Sequence, residues 1–94
     1  MYGTVARLRV KPGMEGQFLA LTREFEQLHI PGFVHTYVYR MDADTNVLYM
    51  AVVFDSKEAY TANAQSPEQD ARYRRMLEPL ESPPEWHDGE IVAG

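Results

Sequence analysis

Val47 to Phe54, VLYMAVVF, is a run of eight residues with no charge, no glycine and no proline. Most of these residues favour a strand. Alternate side chains of a strand point to opposite faces, so Val47, Tyr49, Ala51 and Val53 share one face. Leu48, Met50, Val52 and Phe54 share the other. Both faces are apolar, whereas a strand with one wet face alternates apolar with polar. Each well-buried large side chain contributes about 1.5–3 kcal/mol, so one face left in water forfeits several kcal/mol. That is comparable with the whole stability of a small domain. The pattern therefore demands cover on both sides.

The rest of the chain supplies candidates. Tyr2 to Val10 reads as a strand with Ala6, Leu8 and Val10 on one face and Val5, Arg7 and Arg9 on the other. Lys11-Pro12-Gly13 stops it. Met14 to His29 reads as a helix whose stripe is Met14, Phe18, Leu21, Phe25 and Leu28, and Pro31-Gly32 ends it. Phe33 to Arg40, aromatic and β-branched, predicts a second strand. The polar loop Met41 to Asn46 joins it to Val47–Phe54 as a hairpin. Asp55 or Ser56 caps a helix running to about Ala64, and Asp55 with Glu58 resembles a capping box. Ser66-Pro67-Glu68-Gln69 is a second helix start, with Ser66 as N-cap, Pro67 first in the helix and Gln69 reaching back. Tyr73, Met76 and Leu77 form its stripe, and Pro79 ends it near Glu78. Trp86 to Val92 makes a last short strand.

Strand, helix, strand, strand, helix in two pieces, strand is a βαββαβ order. It predicts a single α+β domain over residues 1–94 of ferredoxin-like type, one antiparallel sheet with its helices on one face. Those helices cover Leu48, Met50, Val52 and Phe54. No strand remains to cover Val47, Tyr49, Ala51 and Val53, so a second copy is expected to do so. The expectation is a face-to-face homodimer, two sheets closing as a dimeric α/β barrel.

Composition narrows the chemistry. The chain has no cysteine, so neither disulfides nor a thiolate nucleophile are available, and its net charge is −5. That charge argues against a nucleic-acid or acidic-membrane partner. Arg72, Arg74 and Arg75 sit among Glu68, Asp70 and Glu78 and read as a solvated helix face. No signal-peptide core and no membrane-length apolar run is present, so a cytoplasmic location is expected. His29, His35 and His87 fall on three elements without a metal-ligand spacing, and no bound metal is expected. Flavin, nicotinamide and phosphate-loop fingerprints are missing, so no cofactor is expected either. No GxSxG elbow marks a nucleophilic serine. His35 lies on a strand among Tyr37 and Tyr39, as a structural histidine or an acid–base group. Between sheet and helices, Met50 and Phe54 with Phe18 and Phe25 either enclose a small aromatic or apolar molecule or close into plain core.

Four segments, RLRVKPG (Arg7 to Gly13), PGF (Pro31 to Phe33), VVFDSKEAY (Val52 to Tyr60) and SPEQDARY (Ser66 to Tyr73), resemble the antibiotic biosynthesis monooxygenase family in order and spacing. The resemblance implies a dimeric α/β barrel. Among the activities it implies are cofactor-independent oxidation of phenols and quinols, haem degradation and isomerisation. The haem-degrading members' ligand and pocket positions match Tyr73, Ala6 and Phe54, all three departing from that pattern. The phenol-oxidising members' positions match Phe54, Tyr60, Met50 and Arg74, of which Tyr60 and Arg74 keep the family's residue types. The resemblance thus implies Tyr60 and Arg74 as donors to an anionic oxygen. Tyr73, able in principle to ligate iron, reads as a core tyrosine on its helix stripe, and is counted with Met50, Phe54, Phe18 and Phe25 as an expected substrate-cleft residue. Read from the residues alone, Tyr60 packs under its helix and Arg74 pairs with Glu78 on the surface. The two functional expectations are a cofactor-independent monooxygenase of a phenol or quinol, and a non-enzymatic dimeric module for an apolar ligand.

Overall fold

The apolar run becomes β3 (Val47–Phe54), an inner strand of a four-stranded antiparallel sheet. The computed structural model describes all 94 residues. In chain order the other elements are β1 (Tyr2–Arg9), α1 (Glu15–Gln27), β2 (Phe33–Arg40), α2 (Lys57–Ala64), α3 (Pro67–Leu77) and β4 (Glu85–Glu90). The sheet order is β2-β3-β1-β4, which is the ferredoxin-like arrangement of an α+β fold. The two inner strands pair in a register that places Leu8 opposite Leu48, Ala6 opposite Met50 and Thr4 opposite Val52. Those residues form the covered face, and the core gathers there: Ala6, Leu8, Val10, Phe18, Leu48, Met50 and Leu80. No helix is long and apolar enough to cross a membrane.

The opposite face carries no helix of this chain. Val5, Tyr37 and Tyr39 are all more than half exposed there, and Tyr49 is exposed as well. Ala51 and Val53 are half-buried. Val47 departs from the expectation that the whole row waits for a partner. It is already buried, where the Met41–Asn46 loop folds back and Met41 N–H donates to its carbonyl at 3.0 Å.

Element ends follow local chemistry and correct several expectations. Ser56, not Asp55, caps α2, its hydroxyl accepting from Ala59 N–H at 3.1 Å. Asp55 instead donates its backbone N–H to the Gly32 carbonyl at 2.8 Å. Gly32 has φ +78°, and a Cβ there would stand 2.4 Å from the Ala59 Cβ, so only glycine lets the start of β2 meet α2. Ser66 caps α3 by accepting from Gln69 N–H at 3.1 Å. The Gln69 side chain does not reach back; it accepts from Arg72 Nε at 3.0 Å. Helix α1 stops at Gln27 because His29 turns left-handed, with φ +53°. Strand β4 stops at Glu90 because its partner begins at Tyr2, the residue opposite, and only Ile91 N–H continues the ladder, to the Met1 carbonyl.

Candidate functional site

Between the covered sheet face and the three helices lies a cleft of about 780 Å³. Its floor is Thr4, Met50, Val52 and Phe54, all on the helix side of β1 and β3 by strand alternation. The amphipathic stripe of α1 turns Phe18 and Phe25 into one wall, and Tyr60 of α2 and Tyr73 of α3 stand on another. The edge strand β4 adds Trp86 and Asp88. At the rim α1 and α3 are joined by an Arg75–Glu24 ion pair of 2.9 Å, and the Arg72 guanidinium lies 5.7 Å above the Phe25 ring.

Tyr60 is placed by its own helix start. The Ser56 carbonyl accepts its N–H at 3.2 Å, so the side chain emerges one turn inside α2. Its ring meets Tyr2 edge-on at 5.3 Å and Phe54 at 5.5 Å. Its hydroxyl donates to Asp88 Oδ1 at 2.8 Å. Burial pushes the phenol's pKa well above its ordinary value, the Asp88 hydrogen bond and charge push it further, and the nearby Thr4 hydroxyl offsets this only in part. Tyr60 is therefore a neutral hydrogen-bond donor around neutral pH.

Thr4 stands opposite both Val52 on β3 and Asp88 on β4. Residue Thr4 is only 5% exposed, and its Oγ1 stands near the Tyr60 hydroxyl without completing a hydrogen bond to it or to any other group. Buried hydroxyls are normally paired, because leaving one unpaired costs about 1–3 kcal/mol. Thr4, Tyr60 and Asp88 thus form a small polar end to an otherwise aromatic and aliphatic cleft. Such a site can hold a flat apolar body and address one polar atom on it.

Tyr60, Met50, Phe54, Phe18, Phe25 and Tyr73 all border this one cleft. Phe18 and Phe54 are fully buried, so they shape its wall more than they offer surface. Two expected residues are elsewhere. His35 pairs with Val53 and shares the uncovered face with Tyr37, whose ring is 4.4 Å away. The sheet separates it from Tyr60, which corrects its reading as an acid–base group of the cleft. Arg74 points out, pairs with Asp70 at 3.0 Å rather than with Glu78, and does not border the cleft. One residue along a helix is a turn of about 100°, which is why Arg75 reaches the rim and Arg74 does not. No three His, Asp or Glu side chains are grouped as a metal ion would require.

Sequence reasoning passed over Thr4, Trp86 and Asp88. Thr4 had a signal: it is the one polar residue in phase with Ala6, Leu8 and Val10. Trp86 and Asp88 are in phase with each other, but only the pairing of β4 beside β1 shows which face they take.

The model of a family described as antibiotic biosynthesis monooxygenase matches residues 1–75. No curated protein matches the chain. Among solved structures, a variant of SnoaB, a cofactor-independent oxygenase from Streptomyces nogalater, is similar with a TM-score of 0.83 at 15% identity, covering 99% of this chain and 94% of that one. A conserved protein from Methanosarcina mazei has a TM-score of 0.78 at 20% identity, covering 94% and 89%. A provisionally named antibiotic biosynthesis monooxygenase from Chloroflexus aurantiacus has a TM-score of 0.79 at 22% identity, covering 99% and 94%. At these identities the likeness is one of fold.

Proposed function

The chain belongs to the antibiotic biosynthesis monooxygenase family, and on that premise we propose that it is a cofactor-independent monooxygenase of a small aromatic phenol or quinol bound in this cleft. The observation that carries the reading is Tyr60, a protonated phenol aimed at the polar end of an aromatic-lined cleft. Cofactor-free oxygenation needs a substrate that supplies its own electrons. In the balanced form, a benzylic CH₂ of an anthrone-like phenol and O₂ become C=O and water. Both C–H bonds break, one oxygen atom stays on carbon, and the other leaves as water with the two protons. The protein's part is to bind the neutral phenol, favour the electron-rich anion as it forms and keep the site dry. The Tyr60 hydroxyl can turn from Asp88 to the substrate oxygen as negative charge grows there, so its bond strengthens in the transition state. Phe25, Tyr73 and Trp86 hold the ring system.

Two copies complete the assembly in this reading. Val5, Tyr37, Tyr39 and Tyr49 make a broad exposed apolar face opposite the helices, and a second sheet of the same kind fits it. The alternative, a dimeric module that binds an apolar small molecule without turnover, is favoured by one observation. Tyr60 already spends its hydrogen bond on Asp88 in a cleft where Met50 and Phe54 are apolar.

Tyr60→Phe decides between them, since it keeps the ring and removes only the hydroxyl. For the enzyme, oxygen uptake with an anthrone-like phenol falls roughly tenfold or more, on the order of 1.4 kcal/mol in the barrier. For a binding module neither protein turns over and the affinities match. Turnover unchanged in the variant removes Tyr60 from the reaction.

A further inference from the structure

We propose that Thr4 and Asp88 form a hydroxyl-recognition subsite, so that the cleft selects uncharged hydroxyaromatic molecules, entering hydroxyl first, and rejects aromatic carboxylates. The proposal deepens the monooxygenase reading and rests on it for turnover, but not for binding. It starts from an unpaired atom. Thr4 Oγ1 is buried at the cleft floor beside the Tyr60 hydroxyl and completes no hydrogen bond in the protein. Across the β1–β4 ladder Asp88 is directly opposite, which puts the two Cβ atoms within about 4.5–5.5 Å. Asp88 Oδ1 accepts from Tyr60 at 2.8 Å, and Asp88 makes no salt bridge.

Counting donors and acceptors gives the selectivity. A carboxylate only accepts, with about four lone-pair sites, and Tyr60 fills one. Thr4 brings one free donor. A ligand hydroxyl answers both, donating to Asp88 and accepting from Thr4. A bare ring leaves Thr4 unpaired. A carboxylate brings acceptors and a second negative charge to a place without a matching cation. Lys57, the cation on this side of α2, lies over the Tyr2 ring at 5.8 Å. Arg72 and Arg75 are held at the rim by Gln69, Asn63 and Glu24. The aromatic part is served by the tilted pair Tyr73 and Trp86, with ring centroids 6.4 Å apart, and by Phe25.

Titration calorimetry under argon, at neutral pH, with naphthalene, 2-naphthol and 2-naphthoate tests this on one ring skeleton. The full chain is expected to bind 2-naphthol roughly tenfold tighter than naphthalene, the reach of one or two net hydrogen bonds, and 2-naphthoate most weakly. Thr4→Val weakens 2-naphthol at least threefold and leaves naphthalene unchanged, while Thr4→Ser keeps the wild-type order. Asp88→Asn removes the charge and tightens 2-naphthoate at least tenfold. The proposal is overturned if the wild-type chain binds none of the three, binds all three alike, or prefers 2-naphthoate. It is equally overturned if Thr4→Val leaves the 2-naphthol affinity as it was, or if Asp88→Asn leaves the 2-naphthoate affinity as it was. Oxygen uptake separates the two readings. The expected binding order without uptake of oxygen by any phenol leaves the subsite standing and ends the monooxygenase reading. Uptake with a binding order indifferent to Thr4 and Asp88 does the reverse.

Discussion

Thr4→Val should stabilise the protein. The substitution exchanges a hydroxyl for a methyl of nearly the same shape. In most buried places Thr→Val breaks a hydrogen bond, but Thr4 Oγ1 has none to break. Relief of a buried unpaired hydroxyl is worth about 1–3 kcal/mol, and the added methyl contributes up to about 0.8 kcal/mol if it stays dry. Both figures must be discounted, because Thr4 borders a cleft that water can enter. A gain of about 1 kcal/mol is the expected outcome. In a domain of this size it raises Tm by about 4–8 °C. Urea unfolding of both proteins at one chain concentration measures it, and the variant's midpoint should rise with the slope unchanged. A loss of stability would refute the reasoning, since it would mean that Thr4 is satisfied in the folded chain. A stabilising change that also weakens ligand preference is the mark of a residue kept for binding.

Three further outcomes follow from other parts of the molecule. Ala51→Glu, at the centre of the uncovered face between Val5 and Tyr37, should split or unfold the proposed dimer by burying an unpaired carboxylate; sedimentation at micromolar concentration should show twice the chain mass for the wild type and one chain or aggregate for the variant. His29→Gly should stabilise by about 1 kcal/mol, because His29 holds φ +53° at the end of α1 where glycine carries no Cβ penalty, and thermal melts will show it. Stability should fall as pH rises above about 10, the ordinary tyrosine value: the unfolded chain ionises Tyr60 there while the folded chain, whose Tyr60 pKa is raised, keeps the proton. Tyr60→Phe should flatten that alkaline decline in urea midpoints.

The fold was legible because the sequence carries it redundantly. The two-faced apolar strand, the spacing of Phe18, Leu21 and Phe25, and the Ser66-Pro67 start each report a local preference that packing then reinforces. The site was legible only where it shares residues with that pattern. Met50, Phe54, Phe25 and Tyr73 border the cleft because they are on core-facing stripes. Asp88 and Trp86 were not, since β4 is an exposed edge strand whose sequence, EWHDGE, shows no clean alternation. Only its register beside β1 brings Asp88 to Tyr60. His35 went astray for the opposite reason. An aromatic, polar strand looks like chemistry, yet its phase with Tyr37 and Tyr39 puts it on the uncovered face. Arg74 was a matter of helix angle, because Arg72 and Arg75 flank it and take the cleft side.

Isotopically labelled dioxygen puts the central claim to its most direct test. The metal-free, flavin-free protein is given an anthrone-like phenol under heavy O₂, and product and solvent are followed by mass spectrometry. A cofactor-independent monooxygenase should consume one O₂ per product, place one heavy oxygen atom on the product carbon, and exceed the protein-free rate at least a hundredfold, about 2.7 kcal/mol in the barrier. Product formed at the protein-free rate, or carrying only oxygen from water, would contradict the account and leave a binding protein in its place.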